Sequence, residues 1–358
     1  MKINTKFLLI TLCSLIIIST LGFINNFETQ KRENYKNSPF FLVQNINNNK
    51  MILDLTSQIY PSGISLVKSS FIRKNYGESE IKVGILDTGV DYHHKDLNIK
   101  GGISLIDKSN NYMDYSGHGT HVAGIVGSCD NDIGTIGIAP SVQLFAIKAL
   151  DYNEKGKISN IIAGVQWAID NEIDILNMSV GAPIYSKDLE NVLEKAYLAG
   201  MFIVAPVGNN GFSYQSNILY PAKFPTVFAV GSVDKNLQRS RFSNVGNELD
   251  IMAPGEKIIS TFINNKYAYG QGTSMASPLV AGAAAVLLSA DPTLTNIQIS
   301  AILKISAKRR GDPYEYGNGV LDVSKALDIV LLKKKDTFLY NFIVGKFTQN
   351  ANLTVVRF

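Results

Sequence analysis

The segment that decides the fold is Gly270-Gln-Gly-Thr-Ser-Met-Ala-Ser-Pro-Leu-Val-Ala-Gly-Ala-Ala-Ala-Val286. Its small apolar residues predict a closely packed, buried helix over residues 274–290. Pro278 is tolerated there if it falls in the first turn, where N–H groups have no helical partner. Ser274 would lie at the positive end of the helix dipole, where an oxyanion is favoured. Taken alone, the segment fits either a serine that caps a core helix or a serine that takes part in chemistry.

The composition is typical of a globular protein and argues against a nucleic-acid partner. The chain has 358 residues, of which 46% are hydrophobic and 18% charged, enough for one large domain or two average ones. The formal charge of +4 is mildly basic, and no basic run is long enough to indicate nucleic-acid binding. We expect a monomer.

The N-terminal segment has the pattern of an export signal. Two lysines precede a charge-free, mostly apolar stretch that ends at residue 24. We therefore expect residues 1–24 to be a signal peptide or, if uncleaved, a membrane anchor. The protein would be secreted or held at the cell surface, with this segment as its only membrane contact. Cys13 lies within it, so the processed chain would keep Cys129 and form no internal disulfide.

After the signal, residues 25–55 are polar and rich in asparagine, which indicates a short pro-segment or linker. Apolar strand-like runs then alternate with helix-like segments. This pattern predicts an α/β fold of three layers, with a mostly parallel central sheet and helices on both faces. The expected strands are Ile81–Leu86, Leu144–Lys148, Ile173–Asn177, Met201–Ala205 and Val227–Val230. The expected helices are 118–128, 159–171, 187–199, 274–290 and 294–306.

The last part of the chain forms a separate C-terminal extension, residues 331–358, beyond a main domain at 56–330. The extension contains the apolar run Phe338–Val344, which is too short to span a bilayer. We expect a packed edge strand there, with a surface-binding segment as the alternative.

Two further stretches carry candidate functional side chains. In Val83-Gly-Ile-Leu-Asp-Thr-Gly-Val90, Asp87 ends a predicted buried strand. An apolar-Asp-Thr-Gly sequence also fits an aspartic protease, which needs a second carboxylate, and the chain contains no second copy.

The other stretch is Asp114-Tyr-Ser-Gly-His-Gly-Thr-His-Val-Ala-Gly124. Its two histidines could bind a metal, but a third ligand of matching spacing does not follow. The glycines beside His118 instead indicate a ring with close backbone neighbours, and His121 fits a hydrogen-bonded structural histidine. A neutral imidazole is the natural base for a serine hydroxyl.

Asp87, His118 and Ser274, in that chain order, resemble the catalytic residues of the subtilisin family of serine proteases. The resemblance extends from Gln58 to Leu327, so the 56–330 domain would be a subtilisin-like catalytic domain. It also includes the segments Trp167–Ser179, Tyr220–Pro225, Phe242–Gly246 and Met252–Gly255.

The resemblance implies roles for individual residues. Ser274 would be the nucleophile and His118 the general base and then the general acid. Asp87 would hold the imidazole and stabilise its cation. The segment Val204–Gly211 matches the family's oxyanion-hole loop and places its asparagine at Asn209, which by itself would be a simple turn residue.

The resemblance also implies a substrate cleft that binds a peptide as an added strand. Its two edges would be formed by Ser179-Val180-Gly181 and by the 153–157 loop, which includes Lys155 and Gly156. Pro206 and Leu219 replace the small residues usual in the family, which predicts a narrow specificity pocket. The lysines of the 153–157 loop either lie on a solvated surface or favour an acidic residue upstream of the cut.

Calcium is the cofactor that the resemblance implies. The loop Cys129-Asp-Asn-Asp-Ile-Gly-Thr135 resembles the family's high-affinity calcium site, and six oxygens of mixed type suit this ion. Without the resemblance the loop would be a polar turn. The Tyr220–Pro221 bond matches a cis bond of the family. The expected ligands are the side chains of Gln58, Asp96 and Asn131 and the carbonyls of Cys129, Ile133 and Thr135.

Three functions remain open at this point. The unusual pocket and the short 25–55 segment favour maturation of an exported peptide precursor, as in the enzymes that remove leaders from bacterial lanthionine peptides. A broad degradative extracellular protease is the second possibility. A catalytically silent, calcium-stabilised binding protein is the third.

Overall fold

The computed structural model describes residues 40–42, 52–67, 80–212 and 217–355. The predicted signal at 1–24 and most of the predicted pro-segment, 25–39 and 43–51, lie outside the described residues.

The described strands form one large sheet and two small ones. They are β1 (Phe40–Leu42), β2 (Ile52–Leu53), β3 (Lys82–Asp87), β4 (Ile99–Ser104), β5 (Gln143–Lys148), β6 (Lys155–Lys157), β7 (Ile175–Met178), β8 (Phe202–Pro206), β9 (Phe228–Val233), β10 (Ile251–Pro254), β11 (Ile258–Phe262) and β12 (Lys266–Gly270). The large sheet has seven strands in the order β10-β9-β8-β7-β3-β5-β4. All its neighbours run parallel, which confirms the predicted sheet and adds β4 and β10 to it.

The five predicted helices are present, each within two residues of its expected bounds. The described helices are α1 (Ser62–Leu66), α2 (His118–Gly127), α3 (Ile158–Asp170), α4 (Lys187–Leu198), α5 (Thr273–Ala290), α6 (Asn296–Ser306), α7 (Pro313–Tyr316), α8 (Val323–Lys335) and α9 (Thr337–Val355).

Apolar side chains cover both faces of the large sheet, as in a three-layer α/β fold. Because successive strand residues point to opposite faces, Ile85 of β3 joins a core with α2, α5 and α6, while Leu86 joins a second core with α3 and α4. Helix α5 is the one described helix long and apolar enough to cross a membrane, and 94% of it is buried inside the protein. It packs so closely that a Cβ added at Gly282 would lie 2.6 Å from the Cβ of Ile138.

The C-terminal extension is helical, so the edge strand expected at Phe338–Val344 is wrong. The run lies inside α9, whose start is capped by Asp336 Oδ1, the acceptor for the N–H of Leu339 (2.9 Å). Tyr340 and Val344 are 1% and 2% exposed within the first core. They are four residues apart and therefore share one face of a helix, a periodicity that a short apolar run hides.

Candidate active site

The first pair of candidate side chains joins the end of β3 to the start of α2. Asp87 is the last residue of β3 and is fully buried. His118 is the first residue of α2, and its Nδ1 lies 2.7 Å from Asp87 Oδ1. Gly119 permits this approach, since a Cβ there would lie 2.1 Å from the carbonyl oxygen of Gly89. The two residues that the sequence selected are in contact.

The surroundings of Asp87 act on its pKa in opposite directions. Burial raises the pKa of Asp87, whereas His118 and the backbone N–H of Thr88, 2.7 Å from Oδ1, lower it. An imidazole that donates from Nδ1 to this carboxylate carries its lone pair on Nε2. The carboxylate of Asp87 therefore orients the imidazole of His118 so that its Nε2 can accept a proton.

Ser274 lies near the start of α5, but it does not cap the helix. The helix begins at Thr273, and the N-cap position belongs to Gly272, at φ 144°. Ser274 is 4% exposed. The capping alternative is therefore wrong, because Ser274 already lies within the helix.

The expected place of Pro278 is also wrong. With the helix starting at Thr273, Pro278 is its sixth residue and lies beyond the first turn. A proline at this position cannot donate to the carbonyl four residues earlier, which belongs to Ser274. That carbonyl instead accepts the hydroxyl of Ser179 at 3.2 Å, so the missing helix bond is replaced by a bond from the neighbouring strand end.

Asn209 lies in the loop after β8, next to the start of α5. Its Oδ1 accepts the backbone N–H of Thr273 at 2.9 Å and the hydroxyl of Thr273 at 2.8 Å. These two donors fix the amide oxygen, so Nδ2 is the end of the side chain that can donate a hydrogen bond. Asn209 is 7% exposed and lines a cleft together with Ser274.

The cleft beside Ser274 is narrow. Its other walls include Val180, Gly181, Pro206 and Leu219, and about 10 Å³ of it is open to the centre of a water molecule, roughly room for one water. Leu219 fills it from one side: a Cβ added at Gly181 or Gly208 would lie 3.0 or 2.8 Å from Leu219 Cδ1. The residues that the sequence assigned to the pocket therefore meet around Ser274.

A strand occupies the edge where the sequence predicted substrate pairing. β1 pairs antiparallel with β6 in the register Phe40–Lys157, Phe41–Gly156 and Leu42–Lys155. β1 belongs to the predicted 25–55 pro-segment. The predicted substrate edge thus accepts an extended segment of this same chain.

Comparison with known proteins places these features in a family. Residues 78–319 match the model of the subtilase family, Peptidase_S8. The chain belongs to the subtilase family. It is 45% identical over 272 residues to subtilisin DY of Bacillus licheniformis, an alignment that covers 75% of this chain and 99% of that protein.

Other relatives give similar figures. Subtilisin E of Bacillus subtilis (strain 168) is 45% identical over 273 residues, covering 75% of this chain and 72% of that protein. The thermostable alkaline protease of Halalkalibacterium halodurans is 42% identical over 272 residues, covering 75% and 74%. The subtilase described here is accordingly a serine endopeptidase, and its seven-stranded parallel sheet is that of the family's three-layer α/β fold.

The predicted calcium ligands of this subtilase converge on one loop. Gln58 Nε2 donates to the carbonyl of Cys129 at 2.7 Å and lies 3.5 Å from that of Thr135. Asp96 Oδ2 accepts the N–H of Thr135 at 2.9 Å. Asp96 Oδ1 is buried and has no hydrogen-bond partner among the residues that the structure describes. A buried carboxylate oxygen that lacks a donor is a group that a cation of the calcium type would satisfy.

Electrostatics at this loop point the same way. Burial raises the pKa of Asp96 to about 7, although hydrogen bonds from Thr135, Tyr267 and Asn131 lower it. A bound cation would favour the charged carboxylate that burial disfavours. Ile133 lies in the same loop, with its N–H donating to Asn131 Oδ1 at 3.3 Å.

His121 is a hydrogen-bonded structural residue, as expected from the sequence. Its Nε2 lies 3.1 Å from the carbonyl of Ile258 and 2.9 Å from that of Ala268. Among the described residues, no three His, Cys, Asp or Glu side chains form a group that could hold a metal ion. The Tyr220–Pro221 bond is cis, as the resemblance implied.

Sequence reasoning missed several residues that hold the site. Thr273 orients Asn209, and the side chains of Thr88, Asp114 and Lys148 lie buried next to Asp87 and His118. Asp114 begins the segment Asp114–Gly124 that contains both histidines, but a lone aspartate before two glycines is equally typical of a turn. Its role depends on contacts between distant segments, which spacing does not show.

Proposed function

We propose that this subtilase hydrolyses peptide bonds with Ser274 as nucleophile, His118 as general base and acid, and Asp87 as the group that orients His118. The observation that carries the proposal is the 2.7 Å contact between His118 Nδ1 and Asp87 Oδ1. It lies at the carboxyl ends of the parallel strands, where ligands bind in such sheets, and Ser274 and Asn209 line one cleft there.

The reaction follows from the chemistry of these groups. As Ser274 Oγ forms a bond to the substrate carbonyl carbon, its proton passes to His118 Nε2, and the carbonyl oxygen becomes an oxyanion. The C–N bond then breaks while His118 returns the proton to the leaving nitrogen. Water repeats the attack on the Ser274 ester with His118 as base, which releases the acid and restores the serine.

Asn209 would donate from Nδ2 to the oxyanion, together with the backbone N–H of Ser274 at the positive end of α5. Thr273 pre-orients the amide through its two bonds to Oδ1, so little reorganisation is needed in the transition state. Removing such a donor lowers kcat by about 10²–10³, or roughly 2.7–4 kcal/mol, values measured on subtilisin itself.

We further propose that substrates bind as a strand between β6 and the segment Ser179-Val180-Gly181. The pairing of β1 with β6 supports this, because it uses the backbone groups of Lys155 and Gly156 that a substrate would use. β1 would then hold the edge in the unprocessed chain and leave when the 25–55 pro-segment is removed. Backbone pairing supplies affinity, and the side-chain pockets supply selectivity.

The narrow cleft supports selective processing of an exported peptide precursor. Leu219 fills the space between Gly181 and Gly208, so a large side chain before the cut would be excluded. Lys155 and Lys157 are exposed on β6 and would favour an acidic residue upstream. The negative charge of the neighbouring Glu154 would partly offset the positive charge of these lysines. The Glu154 carboxylate accepts the hydroxyl of Ser116 at 2.7 Å.

Calcium would be held by Gln58, Asp96 and Asn131 with the carbonyls of Cys129, Ile133 and Thr135. The ion would supply stability and take no part in the reaction. It would replace the disulfides that an exported chain with one remaining cysteine lacks. Export itself is proposed from the 1–24 segment, with the mature enzyme outside the cell.

Peptide hydrolysis by the parent, His118→Ala and Ser274→Ala enzymes tests this proposal. We expect both variants to lose activity by a factor of about 10³ or more while keeping the parent melting temperature. A folded parent protein that cleaves no peptide of a mixed library would support the silent binding protein. Cleavage of every peptide at similar rates would support the broad degradative enzyme.

A further inference from the structure

We propose that Asp114 is a positioning residue that fixes Asp87 and His118 relative to each other and stabilises the imidazolium form of His118. The inference rests on the proposed function of Asp87, His118 and Ser274. Asp114 touches none of the reacting atoms, so it acts through the two residues on either side of it.

The carboxylate of Asp114 is buried, with 2% of the residue exposed, and accepts hydrogen bonds at both oxygens. Oδ1 accepts the N–H groups of Ser116 and Gly117 and the hydroxyl of Thr88, each at 2.9 Å. Oδ2 accepts the N–H of Thr120 at 2.9 Å and its hydroxyl at 2.7 Å. Five donors from two separate segments therefore converge on one carboxylate.

These donors connect Asp114 to both proposed catalytic residues. On one side, Thr88 also donates its N–H to Asp87 Oδ1 at 2.7 Å. On the other, Gly117 and Thr120 flank the first turn of α2, which begins at His118. The N–H of Gly119 closes the connection by donating to the Thr88 hydroxyl at 3.0 Å. A shift of Asp114 would move Asp87 relative to His118.

The charge of Asp114 has a second effect. His118 is the first residue of α2, where the positive end of the helix dipole disfavours a positively charged ring. Asp114 accepts N–H groups at that helix end and adds a negative charge. Because the imidazolium forms during each step of the reaction, this anion lowers the energy of the charged ring in the transition state.

Other charged and titratable groups lie around this carboxylate. Lys148 from β5 is 6% exposed and donates to the carbonyls of Thr88 (2.5 Å) and Met113 (2.9 Å). Burial lowers the pKa of Lys148, and the charge of Asp114 raises it. The charge of Asp114 also acts on Asp87 of β3, and Asp107 and Asp151 act with it on Lys148 of β5. Other ionisable groups nearby are Asp91, whose N–H donates to Thr120, Tyr112, whose carbonyl accepts the N–H of Val90, Tyr115, over whose ring Lys148 lies, and Glu154, which bonds Ser116.

The test is the variant Asp114→Asn, studied by kcat, KM and the pH profile of kcat/KM. The amide keeps the shape of the carboxylate but loses the charge, and its NH₂ group faces donors instead of accepting from them. We expect kcat to fall by about 10- to 100-fold with KM changed less than about twofold. The acid limb of the profile, which reports deprotonation of His118, should move to lower pH, because an anion beside the imidazolium has been removed.

Two further variants separate positioning from general stability. Asp322→Asn is the matched control, since Asp322 is also a buried aspartate (7% exposed) that caps a helix, accepting the N–H of Lys325 at 3.1 Å far along the chain. It should lower the melting temperature without moving the pH limb. Thr88→Val removes the hydroxyl that links Asp114 to Gly119, and its effect on kcat should be less than additive with that of Asp114→Asn.

An Asp114→Asn enzyme with parent kcat and an unmoved acid limb overturns the inference. So does a variant that loses kcat and stability together with no shift of the limb. If Asp114→Asn does not fold, Thr88→Val decides: an unchanged kcat refutes the coupling. His118→Ala is assayed in parallel, because activity retained there would refute the proposed function instead, whatever Asp114→Asn does.

Discussion

Leu219→Gly should widen the specificity cleft and change which residue is accepted before the cut. Leu219 is 5% exposed, and its side chain lies within van der Waals reach of both Gly181 and Gly208. Its removal takes four carbon atoms out of a cleft with about 10 Å³ open to a water centre. One methylene of fit in an apolar pocket is worth about 10- to 200-fold in kcat/KM. A gain of that order is therefore expected for Phe relative to Ala before the cut.

The assay uses chromogenic peptides that differ only in the residue before the cut, with Ala, Leu and Phe at that position. Leu219→Met is the matched control, because it keeps the volume of the side chain and should leave the preference near that of the parent. The glycine variant creates a cavity that costs about 2–5 kcal/mol of stability. Active-site titration is therefore needed to normalise each rate. A Phe-to-Ala ratio within twofold of the parent value would refute the claim that Leu219 limits the cleft.

Three other predictions test different parts of the structure. Asn209→Ala should lower kcat by about 10²–10³, the loss measured on subtilisin itself, with little change in KM; a raised KM with unchanged kcat would instead indicate a binding role. A chelator should lower the melting temperature of the parent but not of Asp96→Asn, whose missing carboxylate removes a calcium ligand; a chelator-insensitive parent would contradict the site. Burial raises the pKa of Asp291, but Lys333 (2.7 Å) and Thr293 hold it below its ordinary value. Asp291→Asn should therefore cost about 1–2 kcal/mol of unfolding free energy at pH 7. Because this pKa is lower in the folded protein than in the unfolded chain, that contribution is present above about pH 4 and is lost as acid protonates the folded group. A urea denaturation difference that persists at pH 2 would argue against the ion pair.

The central layers of the fold could be predicted from the sequence because their periodicity is local. The run Val83–Leu86 of the parallel strand β3 is apolar and buried, and α5 combines small residues with apolar ones over its 18 residues. The expectation failed where periodicity was ambiguous. Phe338–Val344 is apolar at nearly every position, so its sequence fits a strand and a helix equally well. Only the core contacts of Tyr340 and Val344 decide between the two.

The candidate site could be assembled from the sequence to the extent that its residues lie in short glycine-rich segments. Asp87 ends a strand, Asn209 follows a strand, and His118 and Ser274 lie at the starts of helices. The parallel sheet brings those ends together. Residues that act through long-range contacts could not be predicted in this way. The bond from Ser179 to the Ser274 carbonyl joins residues 95 apart, and the bond from the Thr88 hydroxyl to Asp114 depends on the relative placement of β3 and α2.

Covalent labelling of Ser274 by an organophosphorus serine reagent tests the central claim most directly. The parent protein should be labelled stoichiometrically, with the adduct on the peptide that contains Ser274, and its peptidase activity should disappear in step with labelling. In folded His118→Ala the rate of labelling should fall by about 10³ or more, because the hydroxyl loses its base. Folded, processed protein that takes up no reagent, or that is labelled equally fast without His118, would contradict the account.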